Sequence, residues 1–552
     1  MSLVDRQEQI RDDARDLERL GYSQQLFREM GGFSNFAVSF SIISILTGAV
    51  LLYGYGLKFA GPLVNSIGWP LVSLMTLTVA LSMAEIASAY PTAGGLYFWS
   101  FRLGGRRWAW TTAWLNMIGQ VAITAGINIA AAIYIIGAVT RLTGLPPNAR
   151  VPFFGSATSW SFQLFVMVMI LIPQVAINVW GIRLTARLSD ISVWWHIGGV
   201  LLIVILLTVF GRYHNPASFL FSWRPVTDPL AASSAPIAGE LQPALIIGDH
   251  AVPSPLFRLI PPLKALYSAA PPLLLFVLAL LQAQWTYTGY DASAHLAEET
   301  IMARRNTAWG IVLSVAVSAV AGYLMLMILT WCIPDADVAA TANDPYPVLY
   351  IIDRNLPSAF ANALAIVIAV AMWLCGVASV TSMARMWYAF ARDDGIPGSR
   401  WLRRVSGRHR TPVIATIVTA ALSVAICLYA AAWFVVTSIS TICLYLAYAI
   451  PIYLNLRNRW RGAGESMSPA VAAWSLGRWS GWINAVAIAW VIVITVVFVL
   501  PPNELVLWTM LAVGVLLVSY WKLVAQNSKL FATLGPRFVR TTGARRAEFR
   551  GD

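Results

Sequence analysis

The sequence predicts an all-α membrane protein with twelve transmembrane helices, two of which are interrupted near their middles. Of its 552 residues, 58% are hydrophobic and only 11% are charged, whereas soluble domains carry about 25% charged residues. Apolar runs of the roughly 20 residues needed to cross a bilayer recur along the chain. Two of these runs contain a polar break. Together these features exclude an ordinary soluble protein.

We number the twelve apolar runs as spans 1 to 12. In chain order they cover residues 33–58, 66–89, 108–139, 160–179, 186–210, 271–297, 307–332, 359–391, 411–430, 432–455, 480–500 and 504–525. The polar first thirty residues predict no cleavable signal peptide, so span 1 would direct the chain to the membrane. Their mixed charges at helical spacing predict a partly helical, solvated tail.

The basic residues are distributed unevenly between the two predicted sides of the membrane. The net charge is +13. Of the 38 lysines and arginines, 30 fall on the side of the N-terminus and 8 on the other. The positive-inside rule therefore predicts a multi-pass protein of the cytoplasmic membrane with both termini in the cytoplasm. The excess positive charge indicates topology and contact with membrane lipids, and no nucleic-acid partner is expected.

Span 6 contains the most informative break, in the run LLLFVLALLQAQWTYTGYDASAHLAEET (273–300). Asp291 near the bilayer midplane costs roughly 2.5–3.5 kcal/mol on insertion scales. Gly289, flanked by hydroxyl-bearing residues, loosens the helix there. Unwound backbone at membrane depth occurs only where it lines a cavity or is buried in protein. A broken helix with a midplane acid points to a transporter substrate site. The alternative is a kinked helix whose Asp291 pairs with a neighbour.

Span 1 is interrupted as well, at Ser44, Thr47 and Gly48. The two broken spans head two groups of five, as an inverted repeat requires. Four parts are therefore predicted. They are an N-terminal tail (1–30), a ten-helix inverted-repeat transport core (31–455), two additional transmembrane helices (456–525) and a C-terminal tail (526–552).

Three motifs carry a resemblance to a known family. They are GGFSNFAVSFSIISILTG in span 1, AEIASAYPTAGGLYFWSFRLGG after span 2 and WTYTGYDASAHLAEET in span 6. In these motifs the chain resembles the amino acid/choline transporter family of the amino acid–polyamine–organocation superfamily. The resemblance implies a LeuT-like fold, with a five-plus-five inverted repeat and discontinuous helices 1 and 6. It also implies secondary uptake of amino acids, 4-aminobutyrate, choline or polyamines.

The restart of span 1 is the predicted site for a substrate carboxylate. A helix N-terminus offers free backbone N–H groups and the positive end of a dipole. In the superfamily this backbone stretch binds the carboxyl group. The predicted contacts are Ser44, Thr47, Gly48 and Ala49. The alternative is a packing kink.

Span 6 is predicted to bind the other end of the substrate. Asp291 would complement an ammonium group, the Tyr287–Tyr290 carbonyls would face it, and Trp285 or Tyr290 would add cation–π attraction. The predicted contacts are Trp285, Tyr287, Thr288, Gly289, Tyr290 and Asp291. The alternative for Asp291 is an N-cap on the second half of the helix.

Two groups are candidates for ion coupling. Proton-coupled members of the superfamily often carry a lysine midway along helix 5, beside the break in helix 1, and this place holds His196. Histidine titrates near neutral pH. The alternative is a histidine packed by Trp194 and Trp195. Hydroxyls on span 8 would serve sodium instead, namely Ser379, Thr381 and Ser382.

Glu85 and Glu298 are the predicted residues of an inner gate. Each closes its span, and the gate's ion pairs would use the nearby arginines Arg102, Arg106, Arg107, Arg304 and Arg305. Interfacial capping is the alternative, favoured for Glu299.

The predicted function is secondary active uptake of an amino acid or related small amine, such as 4-aminobutyrate, driven by protons. No phosphate-binding loop, nucleotide motif or zinc signature is present in the sequence, so neither cofactor nor metal is expected. No paired catalytic motif supports a membrane-embedded enzyme. The alternatives are a choline or polyamine transporter or exchanger, and a transporter-like nutrient sensor, which the short tails disfavour.

Overall fold

The computed structural model describes residues 3–146, 148–226, 246–247, 250–251, 255–269, 271–429, 433–462, 473–501 and 503–526. The predicted C-terminal tail lies outside these ranges except for Gln526. The described chain is mainly helical, as the sequence predicts.

Ten helices within the described ranges are long and apolar enough to cross a membrane. Two shorter apolar helices, Pro272–Thr286 and Val413–Leu428, coincide with predicted spans 6 and 9. The chain is thus a multi-pass membrane protein by helix length and composition. Ten full-length helices fall short of the twelve predicted, because span 6 is broken and span 9 is short.

The helices of the first half begin with a short amphipathic one and continue with apolar ones. They are α1 (Leu3–Arg19), α2 (Gly32–Ile43), α3 (Gly48–Leu51), α4 (Tyr53–Ala60), α5 (Trp69–Ala89), α6 (Leu96–Gly104), α7 (Arg106–Leu142), α8 (Trp160–Trp180) and α9 (Ile182–Phe210). A π-helical turn, Val64–Gly68, precedes α5.

The second half contains more short helices. They are α10 (Pro255–Leu259), α11 (Pro261–Ala269), α12 (Pro271–Ala279), α13 (Leu281–Thr286), α14 (Ala292–His295), α15 (Ala303–Trp331), α16 (Val338–Asn343), α17 (Pro347–Asn355), α18 (Ser358–Arg392), α19 (Ser399–Leu402), α20 (Val413–Tyr429), α21 (Trp433–Trp460), α22 (Ser480–Val497) and α23 (Glu504–Tyr520). The short 3₁₀ helix Ala297–Glu299 follows α14.

Both sequence-predicted breaks are present as non-helical backbone. Span 1 stops at Ile43, Ser44 takes a left-handed conformation with φ 32°, and helix resumes at Gly48. Span 6 stops at Thr286 and resumes at Ala292, with Gly289 at φ 85°. Glycine adopts positive φ at little cost, which explains its place in the second break.

Four two-residue strands form two antiparallel pairs outside the helical bundle. Strand β1 (Arg150–Val151) pairs with β2 (Gly155–Ser156), and β3 (Ile246–Ile247) pairs with β4 (His250–Ala251). They lie in connections between helices.

Helix α7 forms the centre of the bundle. It packs along α18 and α21, while α15 packs along α2 and α5. In α7, 89% of the most apolar window is buried, against 11% in Glu504–Ala525. Polar side chains in a membrane-spanning bundle face its interior rather than lipid, so the polar residues of α7 mark the interior.

The N-terminal tail is partly helical, as the sequence predicts, and α1 has a buried face as well as an exposed one. Leu17 on α1 is buried, and the carboxylate of Asp13 accepts hydrogen bonds from the backbone N–H groups of Met302 and Ala303 at 2.7 and 3.0 Å. These N–H groups stand at the start of α15, where orphan donors need partners. The sequence did not predict this docking, because Asp13 contacts a helix start that is distant in sequence.

Candidate functional site

The two breaks lie directly against each other. A Cβ atom placed on Gly48 would lie 2.5 Å from Thr286 Oγ1 and 2.8 Å from Thr286 Cα. Glycine is therefore the residue that permits α3 to start where α13 ends. The sequence placed both breaks correctly, and the structure brings them together.

A small cavity lies beside the contact between the two breaks. Its volume is about 10 Å³, at the lower limit for holding one water molecule. Its lining residues are Ile42, Ile43, Thr47, Gly48, Ile123, Ile127, Trp285, Thr286 and Thr288. The lining is uncharged and consists of isoleucines, threonines, a glycine and a tryptophan. Four predicted contact residues, Thr47, Gly48, Trp285 and Thr288, are among them.

The hydroxyls of the span 1 break form a short chain that ends on a histidine. Ser44 Oγ lies 2.6 Å from Thr47 Oγ1 and 2.7 Å from His196 Nε2. The other ring nitrogen, Nδ1, lies 2.7 Å from the carbonyl oxygen of Ser192. A carbonyl only accepts hydrogen bonds, so Nδ1 carries a proton. The predicted proximity of His196 to the break is therefore confirmed as a contact.

The tryptophans next to His196 in sequence do not enclose its ring. Trp194 is 67% exposed and stacks with Phe33, while Trp195 Nε1 donates to the carbonyl of Val367 at 2.9 Å. The ring meets the edge of Phe40 on α2 instead. The alternative of a histidine packed between two tryptophans was thus wrong.

Asp291 is fully buried and has four side-chain partners. Its Oδ2 accepts from Asn116 Nδ2 at 2.9 Å and Gln120 Nε2 at 3.1 Å, and faces His295 Nε2 at 3.0 Å. Its Oδ1 accepts from the Tyr448 hydroxyl at 2.9 Å. Asp291 occupies the N-cap position of α14 without a capping hydrogen bond from its side chain. The predicted N-cap position is thus correct, although the side chain does not cap the helix. Pairing with a neighbour, the other alternative for Asp291, is present at His295, and the ammonium contact stays a prediction.

The predicted backbone acceptors of span 6 are already engaged. The carbonyl of Tyr287 accepts from the Tyr445 hydroxyl, and that of Tyr290 accepts from Ser39 Oγ at 2.9 Å. The Tyr290 ring packs on Tyr448 at a centroid distance of 5.0 Å. Of the two proposed aromatics, Trp285 therefore faces the cavity and Tyr290 faces the tyrosines of α21.

The three predicted sodium ligands on α18 do not converge. Ser379 Oγ lies 2.7 Å from Thr124 Oγ1 on α7, whereas Thr381 donates to Asn178 Oδ1 on α8 at 2.7 Å. The Ser382 hydroxyl is buried without a protein partner. Two of these hydroxyls face different helices, so they do not form one cation site in this state.

Two buried ion pairs join the end of span 6 to α18. Glu298 and Arg392 form a bidentate pair with two N–O distances of 2.9 Å. Glu299 and Arg385 form a second pair at 3.0 and 3.2 Å. The prediction that nearby arginines pair with Glu298 was wrong, and so was the interfacial cap favoured for Glu299. The actual partners lie at the far end of span 8, a position that sequence proximity does not indicate.

Glu85 belongs to a different contact. Its carboxylate accepts from the Ser480 hydroxyl at 2.6 Å and from the backbone N–H of Leu476 at 3.1 Å, and it pairs with Arg459 at 3.2 Å. It thus ties α5 to the ends of α21 and α22. Its predicted grouping with Glu298 in one gate lacks a direct contact.

Residues 22–30 cover the Glu298 end of the bundle. The hydroxyls of Tyr22 and Tyr97 each donate to Asp393 Oδ2 at 2.6 Å, and Arg28 donates to the carbonyl of Ala297 at 3.0 Å. Burial raises the pKa of Asp393, whereas Arg392 and the two tyrosine hydroxyls oppose that rise. The segment therefore closes the bundle where the ion pairs lie.

Several residues around the breaks were missed from sequence, although a signal existed. The polar residues of α7 recur every fourth position, which places them on one face of the helix. They are Thr112, Asn116, Gln120, Thr124 and Asn128. Such a polar stripe inside an apolar span predicts an interior face. Arg385, a charge within span 8, gave a similar signal.

The fold and the paired breaks define a polytopic membrane protein with its polar site buried in the middle of the bundle. A family model described as amino acid permease matches residues 31–520. The chain therefore belongs to the amino acid permease family of the amino acid–polyamine–organocation superfamily, a family of membrane transporters.

Named relatives extend this match over nearly the whole chain. The amino-acid permease BAT1 of Arabidopsis thaliana is 33% identical over 535 residues, covering 93% of this chain and 94% of the plant protein. The BAT1 homolog of Oryza sativa subsp. japonica has the same identity and coverage. The GABA-specific permease of Saccharomyces cerevisiae is 25% identical over 427 residues, covering 74% of this chain and 64% of the yeast protein.

Proposed function

We propose that this protein is a secondary active transporter that takes up an amino acid or a related small amine, such as 4-aminobutyrate, with protons. It lies in the cytoplasmic membrane with both termini in the cytoplasm, and it crosses the membrane twelve times in a LeuT-like arrangement. The single observation that carries the proposal is the contact between the two broken helices at Gly48 and Thr286. Discontinuous helices that meet at the midplane are the common substrate site of such carriers.

The substrate carboxylate binds at the restart of span 1. At the start of α3 the N–H of Gly48 donates to the Ser44 carbonyl at 3.0 Å, so the N–H groups of Ala49 and Val50 are the ones that would face a carboxylate. The dipole of a helix favours an anion at its N-terminus. Thr47 and Gly48 border the cavity at this point. The cavity expands when the half-helices of spans 1 and 6 move apart, and it contracts around the bound substrate.

His196 couples proton binding to carboxylate binding through the hydroxyl chain. With a neutral ring, the Ser44 hydroxyl donates to Nε2 and the Thr47 hydroxyl donates to Ser44. When a proton binds Nε2, that nitrogen donates to Ser44 Oγ, and both hydroxyls turn. The Thr47 hydroxyl then donates into the cavity, where a carboxylate accepts it. Distances of 2.6 and 2.7 Å support either direction of the chain.

The uncharged lining favours an amino acid over choline or a polyamine. Ile42, Ile123 and Trp285 offer apolar contact to a side chain, and the nearby carboxylate of Asp291 is engaged by four partners. Among the lining residues of the cavity, Trp285 is the aromatic ring that would attract a cation with no carboxylate. Exchange of choline or polyamines is therefore the weaker candidate.

Thermal unfolding of the purified protein with a panel of solutes tests the proposed substrate class. An amino acid substrate at a hundredfold excess over its dissociation constant adds about 2.7 kcal/mol of stability. We expect neutral amino acids or 4-aminobutyrate to raise the unfolding midpoint, and choline and putrescine to leave it unchanged. Stabilisation by choline or putrescine alone would overturn the proposal.

A further inference from the structure

Asp291 and His295 form a buried pair at the heart of the bundle that the proposed coupling through His196 does not use. The two residues lie one turn apart on span 6, and neither side chain is exposed. His295 Nε2 lies 3.0 Å from Asp291 Oδ2. Its other nitrogen, Nδ1, lies 3.3 Å from the carbonyl oxygen of Ala93 in the connection between α5 and α6.

Each ring nitrogen of His295 faces an oxygen acceptor, so each of the two contacts needs a proton. The carbonyl of Ala93 only accepts, so Nδ1 must carry a proton. A carboxylate also only accepts, so the contact between Nε2 and Asp291 needs a second proton, held by one of these two atoms. One proton beyond those of a neutral histidine and an ionised aspartate is therefore bound between the two residues.

The remaining partners of Asp291 determine which atom holds that proton. Asn116 and Gln120 direct amide N–H groups at Oδ2. The Tyr448 hydroxyl accepts from the backbone N–H of Gly289 at 3.2 Å, and so directs its own proton to Oδ1. Hydrogen bonds from three neutral donors stabilise the ionised carboxylate. The proton accordingly lies on His295, which is an imidazolium.

Among the described residues, the hydrogen-bond partners of Asp291 and His295 include no other charged group. From α21 the titratable neighbours are Tyr445 and Tyr448, and from span 6 itself Tyr290, while α7 contributes uncharged amides. The next charges along the chain are Glu298 and Glu299, which pair with Arg392 and Arg385 of α18. The backbone N–H of Ala93 donates to Glu298 at 3.0 Å, so one peptide segment links the Glu298 pair to the pair of Asp291 and His295.

We propose that Asp291 and His295 form a proton-binding site that holds the closed state of the transporter. With the proton bound, α14 is joined through Asp291 to α7 and α21, and through His295 to the α5–α6 connection. When water reaches the opened site, the proton passes from Nε2 to water. The pair then changes from neutral to a net charge of −1, and the lone pair of Nε2 faces the carboxylate. The two groups repel and α14 separates from the connection.

The charge state of His295 can be measured without any transport assay. The chain contains five histidines, so nitrogen NMR on histidine-labelled protein in lipid nanodiscs gives few resonances. The two ring nitrogens give separate resonances in a neutral imidazole and nearly identical ones in an imidazolium. His295→Gln and His196→Gln assign the two buried rings. At about pH 7.5 a free imidazole is mostly neutral.

We expect His295 to be an imidazolium at that pH and to become neutral in Asp291→Asn, while His196 stays neutral in both proteins. A neutral His295 in the folded wild-type protein would overturn the proposal. Hydrogen exchange of residues 292–299 tests the holding role, since His295→Gln should accelerate it at least tenfold. His214→Gln, a histidine bonded to the carbonyl of Leu207, is the matched control. Equal exchange in both variants would also overturn the proposal.

The proton site and the proposed transport function can fail separately. An imidazolium at His295 in a protein that binds no amino acid would leave the proton site in place and refute the substrate class. A neutral His295 in a protein that accumulates amino acids would refute the proton site alone.

Discussion

The polar residues at the two breaks differ in how firmly their hydrogen bonds are fixed. On the span 1 side, Ser44, Thr47 and His196 form a chain of hydroxyls and a ring that can reverse direction. On the span 6 side, Asp291 is fixed by four partners and has no such freedom. The hydroxyl chain therefore suits a site that binds and releases a substrate. Asp291 suits a role in which it keeps its partners while the site is closed.

Replacing His196 by glutamine should remove the dependence of accumulation on a proton gradient. Glutamine keeps a donor and an acceptor but cannot titrate, so the hydroxyl chain would lose its proton-driven reversal. Exchange of external for internal substrate moves no net proton and should continue. Uptake by the variant in proteoliposomes, with and without an imposed proton gradient, checks this. Gradient-driven accumulation at the wild-type level would contradict the role of His196.

Replacing Gly48 by leucine should abolish uptake. The new side chain meets Thr286, whose Cα would lie 2.8 Å from even the first added carbon, and the two half-helices could no longer touch. Overpacking of this kind costs about 1–3 kcal/mol, so much of the protein should still fold. Gly198→Leu on α9 is the control, because nothing lies within 4 Å of its added carbon. Equal uptake in both variants would refute the contact between the breaks.

At the scale of single residues, the sequence located the polar breaks but not the partners of Asp291. A lone acid, a glycine and neighbouring hydroxyls in an apolar run are readable because each is costly in a bilayer. The partners Asn116, Gln120 and Tyr448 come from helices that are remote in sequence. Only their packing brings them to the carboxylate, so residue types alone could not assign them.

The elements at the Glu298 end are joined by charge rather than by apolar packing alone. The pairs of Glu298 with Arg392 and of Glu299 with Arg385 connect span 6 to α18. Residues 22–30 of the N-terminal segment lie across the same end. Opening of this end requires that these contacts separate, which makes them candidates for an inner gate.

Replacing Glu298 by glutamine should destabilise the protein strongly. The variant leaves the buried guanidinium of Arg392 without its charged partner, and breaking a buried pair in this way costs about 3–5 kcal/mol. Asp12→Asn is the control, since the pair of Asp12 with Arg15 is exposed and worth about 0–1 kcal/mol. Thermal unfolding of both variants measures the difference. Similar midpoints would show that the Glu298 pair contributes little.

Replacing Tyr22 by phenylalanine should loosen the N-terminal segment. The change removes one of two hydroxyls that donate to the buried Asp393, at a cost of about 1–3 kcal/mol. Limited proteolysis of residues 3–30 should then be faster. Tyr97→Phe removes the other donor but leaves the segment's own contacts, so it should have a smaller effect. Unchanged proteolysis of the Tyr22 variant would rule out this anchor.

The membrane-spanning helices could be predicted from the length of their apolar runs. Contacts between charged or polar groups that are distant in sequence could not. Spans such as α7 and α18 are recognisable because each exceeds the thickness of a bilayer. The docking of α1 was missed, since mixed charge at helical spacing is usually solvated. Its partners, the first N–H groups of α15, lie about 290 residues further along the chain.

For the whole molecule, membership in the amino acid permease family and the buried site describe the same region. The family match covers residues 31–520, which include both breaks and the ion pairs at Glu298 and Glu299. The predicted inverted repeat, the twelve crossings and the cytoplasmic termini stay predictions. Labelling of single cysteines introduced at residue 5 and residue 150, from each side of the membrane, would test the orientation.

Uptake into proteoliposomes with imposed ion gradients is the decisive test of proton-driven amino acid transport by this protein. The purified protein is reconstituted, and labelled amino acids or 4-aminobutyrate are supplied outside with either an inward proton gradient or an inward sodium gradient. We expect accumulation above the external concentration with the proton gradient alone. Accumulation with the sodium gradient alone, or only passive equilibration under both conditions, would contradict this expectation.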